Sequence, residues 1–444
     1  MNGRFILSSQ ILGAASVALA AVFSSAASAQ EVRDAATERQ ATEEYRADKI
    51  AKDREISEQE VSEREQEGYS PLGMRLGSFL LNPGAELRAT YTDNLYATSN
   101  DRSSDYYTTI VPSLLARSDW NVHELEFWAS ADIFRYRNHH ADNVEDYQTY
   151  LRGKYDIARA SWISVMPQYE SGHEDRGDPN AIVSAVSPTE TTTKSLEIKG
   201  EHRPTRLWLG GDLTASDVSF DNTKLTNGAI TNNKDRDLTV LDGGVLVGYE
   251  IIPGYSAYVE GRINDREYDV SVDDSGFRRD SSGYEARAGA EIELTGTLKG
   301  NVFLGYMWQS YDDARFEKLT KPVYGADLTW NATGLTTVKL SGFRTIEETT
   351  TANAAGYLAD SFEISADHEL LRNVILSTGA EYTRNAYRGT NRTTDGVEGT
   401  LGAKYRLNRN YTLEAEYTYF ARQASDKVSE YHKNTIFVGL SALF

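Results

Sequence analysis

The stretch Tyr431–Phe444, which reads YHKNTIFVGLSALF, decides the fold class of this chain. From Ile436 onward every second side chain is apolar, up to the last, aromatic residue. The alternate positions include Thr435 and Gly439, although two apolar residues also fall there. A hydrophobic period of two residues predicts a β-strand whose two faces meet different surroundings.

The same alternation runs through the chain upstream and is clearest in Trp120–Asn138. One set of positions within Leu125–Ile133 is uncharged, whereas the alternate set around it carries three carboxylates. The pattern recurs in Tyr284–Leu294, Val397–Leu407 and Tyr411–Tyr419. A face this densely charged is too costly for a packed protein core, but it suits a water-filled lumen.

Connections of two lengths separate these strands. Short turns such as 158–160 and 407–410 alternate with long polar loops such as 171–189 and 221–235. Eight short turns and nine long loops predict an all-β fold, a transmembrane antiparallel β-barrel of about 18 strands, with 16 as the alternative. An even number places both ends of the barrel on the periplasmic side, and a barrel of this size encloses an aqueous channel.

Three prolines, Pro83, Pro112 and Pro167, fall inside predicted strands and are exceptions to this pattern. Proline has no amide hydrogen to donate to a neighbouring strand. We therefore expect a bulge or a strand end at each of the three positions.

Two segments precede the predicted barrel. Residues 1–29 combine Arg4, an apolar run and the small-x-small site Ala27–Ala29, which together predict a secretory signal peptide. Residues 30–76 are predicted to form a charged periplasmic helix or linker, and residues 77–444 the barrel. Thirteen acidic and seven basic residues between 30 and 68 indicate a solvated segment. Its role is open between a mobile linker, a docking arm for a periplasmic partner and a plug for the lumen.

The composition argues against several functions. A net charge of −20 disfavours nucleic-acid binding, which rewards basic patches. The chain has no cysteine, so it has no thiolate metal site. Its seven histidines show no nucleophile-elbow or zincin spacing, and His139–His140 is expected to be exposed in a loop. We therefore expect neither an enzyme nor a cofactor or metal.

The parity of the strands assigns a set of side chains to the lumen. Carboxylates outnumber basic groups on this face, which favours cations over anions. The simpler interpretation is that a wet wall only requires polar residues. The predicted lumen-lining residues are Glu124, Glu126, Trp128, Asp132, Arg152, Lys154, Trp208, Asp212, Glu260, Arg262, Glu285, Arg287, Glu291, Glu293, Lys404, Arg406, Glu414 and Glu416.

The closing strand also resembles a known assembly signal. Bacterial outer-membrane barrels are recognised through a terminal aromatic strand, and the matching positions here are Gly439 and Phe444. The resemblance implies that the barrel-assembly machinery and outer-membrane lipid and lipopolysaccharide are partners of this chain.

The stretch Gly77–Tyr96 is similar to the start of a proteobacterial family of outer-membrane β-barrel porins, in which a proline-containing strand leads into a Tyr-x-Asp-Asn loop. Here that motif consists of Tyr91, Asp93 and Asn94. The resemblance implies an outer-membrane barrel associated with the production and export of surface polysaccharide.

Three functions are therefore considered. The first is export of a surface polysaccharide, in which residues 30–68 dock onto periplasmic export components. The second is a general porin for passive diffusion of small polar solutes, which an inward-folding constriction loop at Ser171–Thr189 would favour. The third is a structural or surface-binding barrel with a blocked lumen.

Overall fold

The computed structural model describes residues 59–62, 64, 66, 68–294, 297–351 and 353–444. The predicted signal peptide and most of the predicted periplasmic segment lie outside these residues. Within them, helix is confined to the three-residue 3₁₀ turns His140–Asp142, Lys234–Arg236 and Lys427–Ser429. No described helix is long and apolar enough to cross a membrane.

Eighteen antiparallel strands form the wall of the molecule. Each has 12 to 15 residues, whereas a tilted strand needs only about 9–11 to cross a bilayer. In chain order they are β1 Phe79–Thr92, β2 Asp105–Ser118, β3 Glu124–Tyr136, β4 Glu145–Ala158, β5 Ser161–His173, β6 Glu190–His202, β7 Leu207–Phe220, β8 Leu238–Ile252, β9 Tyr255–Tyr268, β10 Ser281–Leu294, β11 Leu298–Tyr311, β12 Leu319–Thr333, β13 Thr336–Glu347, β14 Tyr357–Leu371, β15 Val374–Tyr387, β16 Thr393–Arg406, β17 Tyr411–Ala424 and β18 Tyr431–Leu443.

The sheet closes because its first strand pairs with its last. The ladder between β1 and β18 runs from Gly84 opposite Leu443 to Thr92 opposite Thr435, and every other wall strand pairs with its neighbours in the chain. The prediction of 18 strands is confirmed, and short turns alternate with longer loops around the described barrel as expected. We call the two ends of the barrel the short-turn end and the long-loop end.

The two faces of the wall differ as the period of two requires. Large apolar side chains such as Val245, Ile263 and Leu304 point outward, with 64% to 72% of their surface exposed. Contacts between distant strands identify the other face as the interior. Arg203, in the turn after β6, donates a hydrogen bond of 2.9 Å to Glu291 of β10. Such a contact can only cross the inside of the barrel, so the polar face surrounds the lumen.

Each of the three prolines lies within a strand and interrupts one of its two ladders. Pro83 pairs with β2, but the pairing of β1 with β18 begins only at Gly84. Pro112 pairs with β1 and is skipped by the pairing of β2 with β3. Pro167 pairs with β6 and is skipped by the pairing of β4 with β5. The missing amide hydrogen explains each gap.

The connections contain more structure than the sequence predicts. In the loop 221–237, Thr223–Lys224 pairs with Ile230–Thr231. Strand β5 continues to His173, so the long loop predicted at Ser171–Thr189 begins three residues later. A short strand, Met74–Leu76, folds back onto the start of β1 and precedes the predicted barrel boundary at residue 77.

Candidate functional site

The interior wall carries an ionic network across β7, β8, β9 and β10. Arg262 binds Asp212 at 2.7 Å and Glu260 at 2.8 Å, and it also contacts Asp242. Arg287 lies beside it and contacts the second oxygen of Glu260 at 3.5 Å. Charge-assisted hydrogen bonds of this kind hold side chains in fixed positions. This part of the wall is therefore a rigid, mostly acidic surface.

A second ionic group lies across β2, β3 and β4. The buried carboxylate of Glu126 accepts hydrogen bonds from Arg117 at 2.5 Å and from the Tyr150 hydroxyl at 2.8 Å. Arg152 contacts Glu126 at 3.1 Å and Glu124 at 2.8 Å. Glu124, Glu126 and Arg152 are among the predicted lumen residues, while Arg117 is not.

The remaining predicted lumen residues are spread around the wall. Arg287 also pairs with Glu285, Lys404 pairs with Glu414 at 3.0 Å, and Asp132 lies opposite Asp146 in the ladder. Lys154 lies over the Trp162 ring, and Glu416 accepts a hydrogen bond from Thr418. Glu293 and Arg406 lie at the short-turn ends of β10 and β16.

Neighbouring side chains cover the ring faces of two aromatic residues that were predicted to line the lumen. Trp128 stacks on Tyr150 with ring centroids 5.6 Å apart. Trp208 is only 2% exposed, since its ring packs against Gly248 and the Arg203 guanidinium lies 4.0 Å from the ring centroid. A sugar that stacked on Trp208 would first have to displace this arginine.

The described part of the N-terminal segment lies inside the short-turn end of the barrel. The Glu60 carboxylate contacts Lys299 of β11 at 3.0 Å and Lys339 of β13 at 2.6 Å. The amide of Val61 donates to the Thr337 hydroxyl at 3.0 Å. Glu60 and Val61 are 6% and 1% exposed, so the wall encloses them. Of the three roles considered for this segment, a plug agrees best with this position.

Two opposing effects act on the Glu60 carboxyl. Burial raises its pKa, whereas the hydrogen bonds and charges of Lys339 and Lys299 lower it. The net result is a pKa below the usual value of this group. Glu60 is therefore held as a carboxylate in the docked segment, and its charge is part of the attachment.

A second anchor lies four residues further along the segment. Arg64 donates to Glu369 of β14 at 3.2 Å and to the carbonyl oxygen of Gly334 at 2.7 Å. Gln66 donates to the same Glu369 carboxylate at 3.0 Å. The segment is thus attached to the wall by opposite charges at two points, on the arc from β11 to β14.

The loop 174–189 crosses the long-loop end of the barrel. Its residue Asn180 donates to the carbonyl oxygen of Glu348 at 3.1 Å and accepts from Thr349 at 3.3 Å and from the Thr350 amide at 3.2 Å. The loop joins β5 to β6, whereas residues 348–350 follow β13. These two places are eight strands apart around a ring of eighteen, so the loop reaches almost the opposite side.

Further contacts hold this crossing loop to the loop between β3 and β4 and to the end of β17. Arg176 pairs with Asp142 and donates to the carbonyl oxygen of Ala185 at 2.7 Å. Arg422, at the end of β17, donates to the carbonyl oxygen of Gly177 at 2.6 Å. A loop tied at several points around the rim narrows the opening that it spans.

The partner loop 348–356 is itself well anchored. Arg279, in the loop after β9, donates to the carbonyl oxygens of Thr349 at 2.7 Å and Ala354 at 3.0 Å. The Tyr268 hydroxyl donates to the Glu348 carboxylate at 2.5 Å. Because both loops are fixed, their contact forms a bridge across the mouth.

A cavity of about 70 Å³ lies beside the crossing loop. Its lining includes Tyr107, Tyr136, Asp146 and His173, and this volume is enough for a few water molecules but not for a sugar.

The crossing loop also contains a buried carboxyl group, that of Asp178. Burial raises the pKa of this carboxyl well above its usual range, and the charges of Asp175 and Glu174 raise it further.

The Tyr-x-Asp-Asn motif joins the first strand to the last. The Asp93 carboxylate accepts from the backbone amide and the side-chain amide of Asn434, both at 2.7 Å. Asn94 is fully buried and donates to the carbonyl oxygen of His432 at 2.9 Å. Tyr91 packs against Tyr106. The motif therefore extends the closing seam beyond the ladder between β1 and β18.

The two residues of the predicted assembly signal also have structural contacts. Gly439 faces the interior, where a Cβ would lie 2.9 Å from a Glu86 oxygen and 3.3 Å from Arg88. Its lack of a side chain leaves room for that ion pair. Phe444 is 46% exposed and packs edge-on against Tyr411.

Strand parity could not identify the residues that occupy the two mouths. The bridge made by Asn180 joins distant parts of the chain. The same is true of the contacts of Lys299 and Lys339 with Glu60. The available signals were the length of the loop at 171–189 and the charged composition of residues 30–68.

The profile of a protein family described as "Putative beta-barrel porin 2" matches residues 67–444. No curated protein matches the chain by sequence. Among solved structures, the chain is similar to the outer membrane protein OpdK from Pseudomonas aeruginosa, with 12% identity, a TM-score of 0.44 and coverage of 82% of this chain and 99% of that chain. It is also similar to OccAB4 from Acinetobacter baumannii (11% identity, TM-score 0.43, coverage 82% and 98%). A third similar structure is the unliganded ferric citrate transporter FecA (9% identity, TM-score 0.41, coverage 85% and 79%).

Proposed function

Because the chain belongs to this family of outer-membrane β-barrel porins, we propose that it is a channel for passive diffusion of small polar solutes. The observation that carries the proposal is the loop 174–189, which folds into the long-loop mouth and bonds to the far rim through Asn180. An inward loop of this kind sets a size limit, and it admits small solutes more readily than a polymer.

The proposed orientation follows from loop lengths. Outer-membrane barrels have short periplasmic turns and longer external loops. The short-turn end, with the docked Glu60, Val61, Arg64 and Gln66, would then face the periplasm. The acidic excess around Arg262 would favour cations and neutral polar solutes over anions.

Export of a surface polysaccharide is the competing proposal, and it rests on the resemblance of the Tyr91–Asn94 motif. It would require the loop 174–189 to leave the mouth and residues 30–68 to engage periplasmic export components. A structural barrel with a blocked lumen is the third alternative, and it would leave the membrane without a conducting path.

The deciding experiment combines two measurements. Purified full-length protein is reconstituted into planar bilayers and liposomes to measure ion conductance and the uptake of neutral sugars of increasing size. In parallel, a strain lacking the gene is assayed for surface polysaccharide and for sugar uptake.

Conductance with a sharp size limit, together with slower sugar uptake and intact surface polymer in the deletion strain, is the expected result. Loss of surface polymer with unchanged sugar uptake would show that the protein serves polysaccharide export and not passive diffusion. If the reconstituted barrel carries neither ions nor sugars, even at elevated voltage, the structural barrel with a blocked lumen would be the remaining function.

A further inference from the structure

We propose that the short-turn mouth contains a docking site for the chain's own segment that includes Glu60, Val61, Arg64 and Gln66, and that the docked segment is a removable plug. The proposal rests on the channel function proposed above and adds a second constriction at the opposite end of the lumen. Its basis is the set of contacts between this segment and the strands β11, β13 and β14.

The first half of the docking site is a pocket for a carboxylate. Lys299 and Lys339 project from β11 and β13, with β12 between them, and their ammonium groups meet at Glu60. The lysine side chains remain 41% and 43% exposed, whereas the glutamate is almost fully enclosed. Two ammonium groups are needed here because a buried carboxylate without cations would be costly.

The second half has the opposite charge. Glu369 of β14 receives Arg64 and Gln66 of the segment, at 3.2 Å and 3.0 Å. Both the Arg64 and Glu369 side chains are more than nine-tenths buried. Glu60 and Arg64 of the segment therefore meet groups of opposite charge on the wall, which fixes the direction and position of the segment.

The attachment can break without disturbing the barrel. The described segment contributes no strand to the sheet, and Thr337, which accepts the Val61 amide, is paired in the ladders of β13 with both β12 and β14. Among the contacts of the described residues, undocking would release side-chain contacts and the hydrogen bond of the Val61 amide, while the wall would keep its ladders. An intrachain element held in this way is suited to reversible movement.

The test compares two double variants of the full-length protein in planar bilayers. K299Q/K339Q removes the ammonium groups that hold Glu60. K199Q/K404Q removes the same charge from two other interior lysines, whose partners are the wall residues Glu197 and Glu414.

We expect K299Q/K339Q to increase the mean conductance, or the fraction of time in the larger conducting state, relative to both wild type and K199Q/K404Q. Loss of about 1.4 kcal/mol of attachment changes the docked-to-released ratio about tenfold. Equal conductance in the three proteins would overturn the plug while leaving the channel itself established.

A cysteine pair provides an independent test, because the natural chain contains no cysteine. Val61 and Thr337 are replaced by cysteine together, and the pair is bridged with a short thiol-specific reagent. Bridging should hold the protein at its low conductance, and reduction should restore fluctuations to the larger state. Failure of the two cysteines to react with each other would show that the segment does not dock there. A variant pair that conducts equally when bridged and when reduced would show that docking does not restrict flow.

Discussion

Replacing Asn180 by alanine should widen the long-loop mouth, because this side chain makes the bridge to the opposite rim. It donates one hydrogen bond to Glu348 and accepts two from Thr349 and Thr350, over distances of 3.1 to 3.3 Å. Alanine keeps the backbone of the loop but can form none of the three. The contact of Arg176 with Asp142 in the loop between β3 and β4 remains, so we expect the tip of the loop to move while its base stays in place.

The size of the effect follows from the three lost bonds. A hydrogen bond contributes about 1 kcal/mol net, and those of Asn180 are long, at 3.1 to 3.3 Å. Their loss should cost the bridged state about 2–3 kcal/mol. Since about 1.4 kcal/mol corresponds to a factor of ten, the ratio of open to bridged loop should rise roughly 30- to 150-fold.

The assay is the swelling rate of liposomes that contain the protein, measured with neutral sugars of increasing size. N180A should admit sugars that wild type excludes and should show higher single-channel conductance. The matched control is N227A, because Asn227 is an exposed loop residue whose side chain accepts a hydrogen bond from Ala229 within its own turn. An unchanged size limit in N180A would refute the assignment of the loop 174–189 as the constriction.

Three further results are expected. The pKa of Glu60 is lowered in the docked segment, so docking should be fully stabilised above pH 4.5, the usual pKa of this group, and weakened as the pH falls through the lower pKa of the docked state. Conductance should therefore rise on acidification in wild type but not in E60Q. A Cβ at Gly248 would overlap the Trp208 ring, so G248A should lower the free energy of unfolding by about 1–3 kcal/mol in urea titrations, whereas G399A, which meets open space, should not. R262Q leaves three carboxylates without their shared cation, so its reversal potential in a KCl gradient should shift toward the potassium potential; an unchanged value would mean that these groups do not face the conducting path.

Much of the fold could be predicted because the evidence for it is local. Each strand is recognisable from alternation over about ten residues, as in Leu125–Ile133, and this pattern is typical of a strand whose two faces meet different surroundings. The turns and loops follow as the intervals between strands. The prolines at 83, 112 and 167 could be recognised as exceptions for the same reason, since a missing amide hydrogen is a property of the residue itself.

Parity also explains which part of the site was accessible from sequence. It assigned Asp212, Glu260 and Arg262 to one face, although it did not include Asp242 and could not tell that a single guanidinium would join all three carboxylates. Such a junction depends on the register between β7, β8 and β9, which is set by the pairing of whole strands.

The amino-acid sequence by itself determined the barrel, its 18 strands and the polarity of its two faces, because period-two alternation and turn spacing are properties of neighbouring residues. Only the tertiary structure decided what occupies the two ends. Asn180 meets a loop 168 residues further along the chain, and Arg64 meets a carboxylate 305 residues away. Closing the barrel brings these residues together, so their contacts have no local signature in the chain.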